Sequence, residues 1–280
     1  MIKITLFDGT TISYKSFVFS GGEVSVKISD TSAIVDSKSI HLFASIKNSN
    51  DLMELLMITD AIRIIKPEIL ISVTIPYLPY ARQDRVMVDG ESLSIKVFAN
   101  IINSQNYINV YVWDAHSEVG VALIDRCVHT PQYVMFNILG YNADPANTIL
   151  VSPDAGAEKK IYGFAKATGI ADIMFASKVR DVNNGKILQT VINNIPGGAG
   201  LHQPETRKDF LIADDICDGG GTFIALAEKL RPLTTGKIKL LVTHGIFSKG
   251  IEVFDGIIDE VIVLNNINDV KSTVKTKVIS

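Results

Sequence analysis

Cysteine is scarce in this chain. The 280 residues hold two, Cys127 and Cys217, and no CxxC pair. That excludes a disulfide framework and a cysteine-based zinc site, and it suits a reducing compartment. An excess of one charge is also missing: 27 Lys and Arg stand against 30 Asp and Glu, for a net charge of -3. No general electrostatic attraction to nucleic acid or to an anionic membrane follows, although a small basic pocket remains compatible. No run of about 18 apolar residues occurs, so no spanning helix is expected. The opening MIKITLFDGTTISYK lacks the basic start and apolar stretch of a secretory leader. Low-complexity tails and short repeats are absent as well. The expected location is the cytoplasm, with no nucleic-acid or membrane partner. What is present is an ordinary folding composition, 47% hydrophobic and 20% charged, enough for one large core or two medium ones.

The pattern along the chain is α/β. The first 50 residues read as strands at Lys3 to Phe7, Ser16 to Ser20, Val24 to Ile28 and Ile40 to Ile46, rich in Ile, Val, Phe and Thr with turn residues between them. From Asp51 to Ile65 the apolar residues recur at helical spacing, with Asn50 or Asp51 as cap and Pro67 as terminator. Residues 69–75 (ILISVTI) and 108–113 (INVYVW) are apolar runs of the kind that form strands buried on both faces, and residues 92–103 between them are helical. The second half repeats the alternation. Strands are expected at 149–151, 171–176, 187–192, 208–213 and 238–243, and helices at 157–168 and 221–231. Such alternation indicates mostly parallel sheets flanked by helices. Turn-forming residues cluster at 139–147 and place a boundary there. The expected units are 1–140, 141–265 and a C-terminal tail, 266–280. Residues 193–207 are the loosest stretch.

The most informative segment is FLIADDICDGGGTFIALAEKL, residues 210–230. An apolar strand runs into two carboxylates, Asp214 and Asp215. Then Asp218, Gly219, Gly220, Gly221 and Thr222 lead into a helix. In open α/β sheets ligands bind beyond the carboxyl ends of the strands. Glycines let the backbone approach an anion, and the amides of a helix start point at it. Paired acids repel phosphate but suit sugar hydroxyls, or a Mg²⁺ bridging to them. A sugar phosphate satisfies both halves. A second segment, PYLPYARQDRVMVDGE at 76–91, follows a buried strand and sets Arg82 and Arg85 around Gln83, where guanidinium groups suit a polyphosphate.

Residues 214–222 resemble the phosphoribosyl-pyrophosphate motif of type I phosphoribosyltransferases and ribose-phosphate diphosphokinases. YARQDR is similar to the ATP-binding loop of the diphosphokinases alone. WDAH (113–116), VSPDAG (151–156), SKVR (177–180), THGIFS (243–248) and the helix LMELLMITDAIR (52–63) resemble further segments of that family in the family's order. The resemblance implies two type I phosphoribosyltransferase-like domains and transfer of the diphosphoryl group of ATP to ribose 5-phosphate. It implies that Asp214 and Asp215 lie by the ribose hydroxyls and that Asp218 to Thr222 wrap the 5-phosphate. Arg82, Gln83, Arg85 and His116 would bind ATP, and His116 and Asp154 would hold Mg²⁺. Lys178 and Arg180 match the first and third basic residues of a catalytic Lys-Arg-Arg, with Val179 between them. FSGGEV (19–24) resembles a strand that reaches a neighbouring subunit's adenine site. Phe19 and Glu23 match it, and Gly21 stands where the family has Asp. A homo-oligomer built from dimers, up to a hexamer, is implied. The tail from residue 264 does not resemble the usual family ending. The alternatives are a phosphoribosyltransferase consuming phosphoribosyl pyrophosphate and a non-catalytic relative.

Overall fold

The computed structural model describes residues 2–180, 187–192, 206–271 and 276–278. They form two units, Met1–Thr130 and Pro131–Ser280.

In the first unit the strands are β1 (Ile2–Leu6), β2 (Thr11–Ile12), β3 (Tyr14–Val18), β4 (Val24–Ile28), β5 (Ser39–Ala44), β6 (Leu70–Ile75), β7 (Val110–Trp113) and β8 (Cys127–Thr130). The helices are α1 (Ser32–Asp36), α2 (Ser49–Ile65), α3 (Ser94–Ser104) and α4 (Glu118–Leu123). The sheet order is β2-β1-β5-β6-β7-β8. Strands β5 to β8 are parallel, and β1 and β2 add an antiparallel edge. Strands β3 and β4 form a separate hairpin.

The long helix α2 starts earlier than its apolar pattern suggests. Asn48 accepts the Asp51 amide, and the Asp51 carboxylate accepts the Asn48 amide, a reciprocal capping box that begins the helix at Ser49. Leu55, Ile58 and Ile62 bury one stripe. Thr59, also buried, donates to the Leu55 carbonyl and meets the Tyr107 hydroxyl at 2.7 Å, so both buried hydroxyls have partners.

The second unit contains α5 (Gln132–Ile138), β9 (Thr148–Ser152), α6 (Glu158–Thr168), β10 (Ile173–Arg180), β11 (Ile187–Ile192), β12 (Asp209–Cys217), α7 (Gly221–Leu230), β13 (Ile238–Gly245), β14 (Glu260–Asn266) and β15 (Thr276–Val278). Their sheet order is β11-β10-β9-β12-β13-β14-β15, parallel except for the β10–β11 pair. Strand β9 is buried along its whole length, as expected of a central strand covered on both faces. The chain passes from β9 outward to β10 and then returns past β9 to β12. The sheet therefore has a topological switch point between β9 and β12, where such sheets open a crevice at their carboxyl edge.

The expected α/β class, with mostly parallel sheets flanked by helices, is what the chain forms. The division between units comes before residue 140. Pro131 offers no amide to extend β8. It sits instead at the start of α5, which buries Gln132 and Phe136 and packs with α6. The turn-rich stretch 139–147 links α5 to β9 inside the second unit. The tail is partly structured, since β15 pairs with β14. Strands β2, β8, β14 and β15 and helices α1, α4 and α5 are additions to the sequence expectation. Residues 193–205 lie outside the described residues.

Candidate active site

The expected functional residues fall into two groups, one in each unit.

In the second unit β12 is longer than its apolar core. It continues through Asp214 and Asp215 to Cys217 because β13 keeps pairing with it, Asp214 opposite Val242 and Ile216 opposite His244. The two acids are thus strand residues at the carboxyl edge. They stand beside the switch point, where β9 ends at Ser152 and Asp154 follows. Asp215 is buried and paired with Lys160 of α6 at 3.1 Å. Asp214 is recessed. Desolvation, then the neighbouring charges of Asp215 and Asp154, push its carboxyl well above the usual range. Asp154 accepts the Ala157 amide at 3.1 Å, which fixes the turn into α6.

Helix α7 begins at the last of the three glycines, Gly221, with Gly220 as its N-cap residue. Gly220 is in the left-handed region at φ +76 and supplies no side-chain cap. A helix start leaves its first amides without intrahelical acceptors, and here they belong to the glycine loop. The loop is held from behind. The Ile246 and Phe247 amides donate to the Cys217 carbonyl at 2.8 and 3.3 Å. The Phe254 ring lies so close to Gly220 that a Cβ there would come within 2.6 Å of it. Gln132 Nε2 donates to the Asp214 carbonyl at 2.6 Å and to Thr243 Oγ1 at 3.2 Å. Cys217 is buried and its thiol is pushed up to about 12 by desolvation, which removes it as a nucleophile at neutral pH.

Lys178 and Arg180 lie on β10, in register with Thr190 and Ile187 of β11, and a bulge falls between Val179 and Arg180. Their side chains lie outside the described residues, as does the polar stretch 181–186.

In the first unit the loop after β6 carries Arg82, Gln83 and Arg85, all exposed. Its base is anchored by buried Leu78 and Ala81, with Tyr80 between them at φ 63. Asp84 is the internal tie. It pairs with Arg85 at 2.8 Å and accepts the Ser117 hydroxyl at 2.6 Å, and these partners hold its carboxyl down to about 2. Ser117 caps α4, so the loop is joined to the segment that carries exposed His116. Asp114 just before it is buried with φ 37. Phe19 and Glu23 flank the turn of the β3–β4 hairpin. The Phe19 amide donates to the Glu23 carbonyl at 2.8 Å, and the Phe19 ring meets Phe17 edge-on at 4.8 Å, both largely exposed.

The structure therefore places Asp154, Asp214, Asp215 and the 218–222 loop at the carboxyl edge beside the switch point, and joins Arg82, Gln83 and Arg85 to His116 through Asp84 and Ser117. Gln132, Lys160 and Phe254 escaped the sequence reading. Lys160 alone left a signal, a basic residue one turn into a helix that follows a strand-end acid. Among the described residues no three His, Cys, Asp or Glu side chains form a ready metal cluster.

A family model for the N-terminal domain of ribose phosphate pyrophosphokinase matches residues 7–105. The chain is 30% identical to a ribose-phosphate pyrophosphokinase of Aquifex aeolicus over 234 residues, covering 82% of this chain and 70% of that one. The chain belongs to the ribose-phosphate pyrophosphokinase family. The family member of Helicobacter hepaticus is also 30% identical, over 267 residues and 82% of its length. The phosphoribosylpyrophosphate synthetase structure from Mycobacterium smegmatis shares the fold, with a TM-score of 0.77 at 21% identity over 97% of this chain and 87% of that one. No helix among the described residues is long and apolar enough to cross a membrane.

Proposed function

We propose that this chain is a ribose-phosphate diphosphokinase: the anomeric hydroxyl of ribose 5-phosphate attacks the β-phosphorus of ATP, the bond to the α-phosphate oxygen breaks, and AMP leaves with phosphoribosyl pyrophosphate as product. The observation that carries the reading is the β12–α7 junction. Paired carboxylates and a glycine loop at a helix start share the crevice beside the switch point, the arrangement a sugar phosphate needs. Family membership favours this reading over a phosphoribosyltransferase.

In this reading Asp214 and Asp215 accept hydrogen bonds from the ribose hydroxyls, and the amides of Gly219 to Thr222 with the Thr222 hydroxyl hold the 5-phosphate. Asp218 sets the loop entrance. Arg82 and Arg85 bind the ATP phosphates, with Gln83 beside them, and Phe19 and Glu23 contact adenine. Lys178 and Arg180 neutralise charge that develops on the transferred group. Mg²⁺ fits the donor set. Asp154 and Asp214 repel one another across the crevice, His116 is exposed, and Mg²⁺ is usually held by one or two protein groups plus substrate phosphates. When bound it supplies charge neutralisation and alignment of the phosphates. Asp154 in the second unit and His116 in the first are the candidate holders, each considered by itself. The working form is a homo-oligomer built from dimers, in the cytoplasm.

Incubation with ribose 5-phosphate, ATP and Mg²⁺ tests this directly. Sugar-dependent AMP release is expected. ADP in its place would identify a simple kinase, and no nucleotide turnover would remove the assignment.

A further inference from the structure

The glycine loop adjoins a cluster of carboxylates. Three carboxylates, Asp214, Asp215 and Asp218, stand within five residues of it, and Lys160 is already engaged with Asp215 at 3.1 Å. A phosphate dianion would enter this field against repulsion, since neutral amides donate hydrogen bonds but carry no net charge. The segment after β13 brings a cation to that place. The Ile246 amide ties it to the Cys217 carbonyl at 2.8 Å, and the Gly250 amide closes a turn on the Phe247 carbonyl at 2.9 Å, with Gly250 at φ +77. That turn lays the Lys249 stem along Gly219. A Cβ placed on Gly219 would lie 3.4 Å from both Cδ and Cε of Lys249. The Lys249 stem thus lies against Gly219 of the loop, and Lys249 is exposed, so the stem packs while the charged head stays in solvent.

We propose that Lys249 is a phosphate-binding residue of this chain, its ammonium closing on the 5-phosphate of ribose 5-phosphate held by the 219–222 loop. This rests on the ribose 5-phosphate reading above. The bare loop geometry would bind any phosphate monoester; Lys249 adds the charge that makes binding strong in an acidic crevice.

The test is calorimetric binding of ribose 5-phosphate, with steady-state rates beside it, for the unaltered protein, Lys249→Met and Lys249→Arg. Methionine keeps the stem on Gly219 and removes the charge. The expected result is a Kd and a KM for ribose 5-phosphate raised about five- to tenfold in Lys249→Met, as for loss of one charge-assisted contact near solvent. The KM for ATP and kcat stay within about twofold, and the dependence of Kd on salt becomes shallower. Lys249→Arg restores most of the affinity. A Kd for Lys249→Met within twofold of the unaltered protein overturns the proposal. So does an equal weakening of ATP and ribose 5-phosphate, which would mark a packing role. Binding by the unaltered protein without AMP release would overturn the proposed function yet still decide Lys249, because the calorimetric comparison does not depend on turnover.

Discussion

Gly220 carries two constraints at once, and replacing it with alanine separates them. Its φ of +76 lies in the left-handed region, where a β-carbon costs about 1–2 kcal/mol. A Cβ there would also come 2.6 and 2.9 Å from ring atoms of Phe254. The ring cannot retreat freely, because it is 3% exposed and meets Phe247 edge-on, centroids 6.4 Å apart. Forcing a methyl into such packing costs about 1–3 kcal/mol. The two contributions give about 2–5 kcal/mol for Gly220→Ala, a large share of an ordinary domain's stability. Urea unfolding of Gly220→Ala, Phe254→Leu and the double variant gives the cycle. The shorter leucine relieves the clash but not the backbone strain, so the double variant should be more stable than the sum of the single effects. A loss below about 1 kcal/mol in Gly220→Ala would refute the geometry. A Gly220→Ala loss of the same size with and without Phe254 would refute the ring contact. Amide exchange in residues 221–230 should rise with the loss, since the Phe223 and Ile224 amides both donate to the Gly220 carbonyl.

Three further outcomes are expected. Lys178→Ala should lower kcat by roughly 10²–10³ with KM changed little, the effect of deleting one transition-state contact; single-turnover rates check it, and near-full turnover would remove Lys178 from the chemistry. Gln132→Leu removes both amide donations from a buried site and should cost about 1–3 kcal/mol in urea unfolding, with a raised KM for ribose 5-phosphate because the Asp214 backbone loses its tie. Asp84, held at about 2 by Arg85 and Ser117, has a folded value below its unfolded one. Its contribution is therefore present above about pH 4 and lost as pH falls towards 2; the Arg85 side chain is 71% exposed, so solvent screening limits this to about 1 kcal/mol. Unfolding of Asp84→Asn against the unaltered protein between pH 2 and 6 measures it.

Long periodic segments were legible. Val24–Ile28 and Ile187–Ile192 have the strand bounds their composition indicates, and α2 is recognisable from its apolar spacing. Its start was misplaced because the capping box uses Asn48 and Asp51, while Asn50 beside them looks equally able to cap. Strand β14 was missed although EVIVLNN is an apolar run. Its length and flanks do not distinguish it from a loop edge without knowledge that β13 offers it a partner. The sequence pattern ends β12 too early because aspartates read as the end of a strand. Pairing with β13 carries it two acids further, and that extension places Asp214 and Asp215 at the crevice.

The candidate site divides in the same way. A glycine that must hold a left-handed turn, or acids that meet a sugar, have fixed neighbours in sequence, so residues 214–222 announce themselves. The groups that hold the loop have none. Gln132 reaches Asp214 from 82 positions away and Thr243 from 111, and Phe254 and Lys249 arrive on a turn beyond β13. Their role is steric or electrostatic and could be filled by several residue types, so no motif need preserve them. Substitutions at Gln132, Lys249 and Phe254 should then change affinity for the sugar phosphate in steps while leaving the reaction itself intact, whereas substitutions at Gly220 or Asp214 act on the scaffold of the reaction directly.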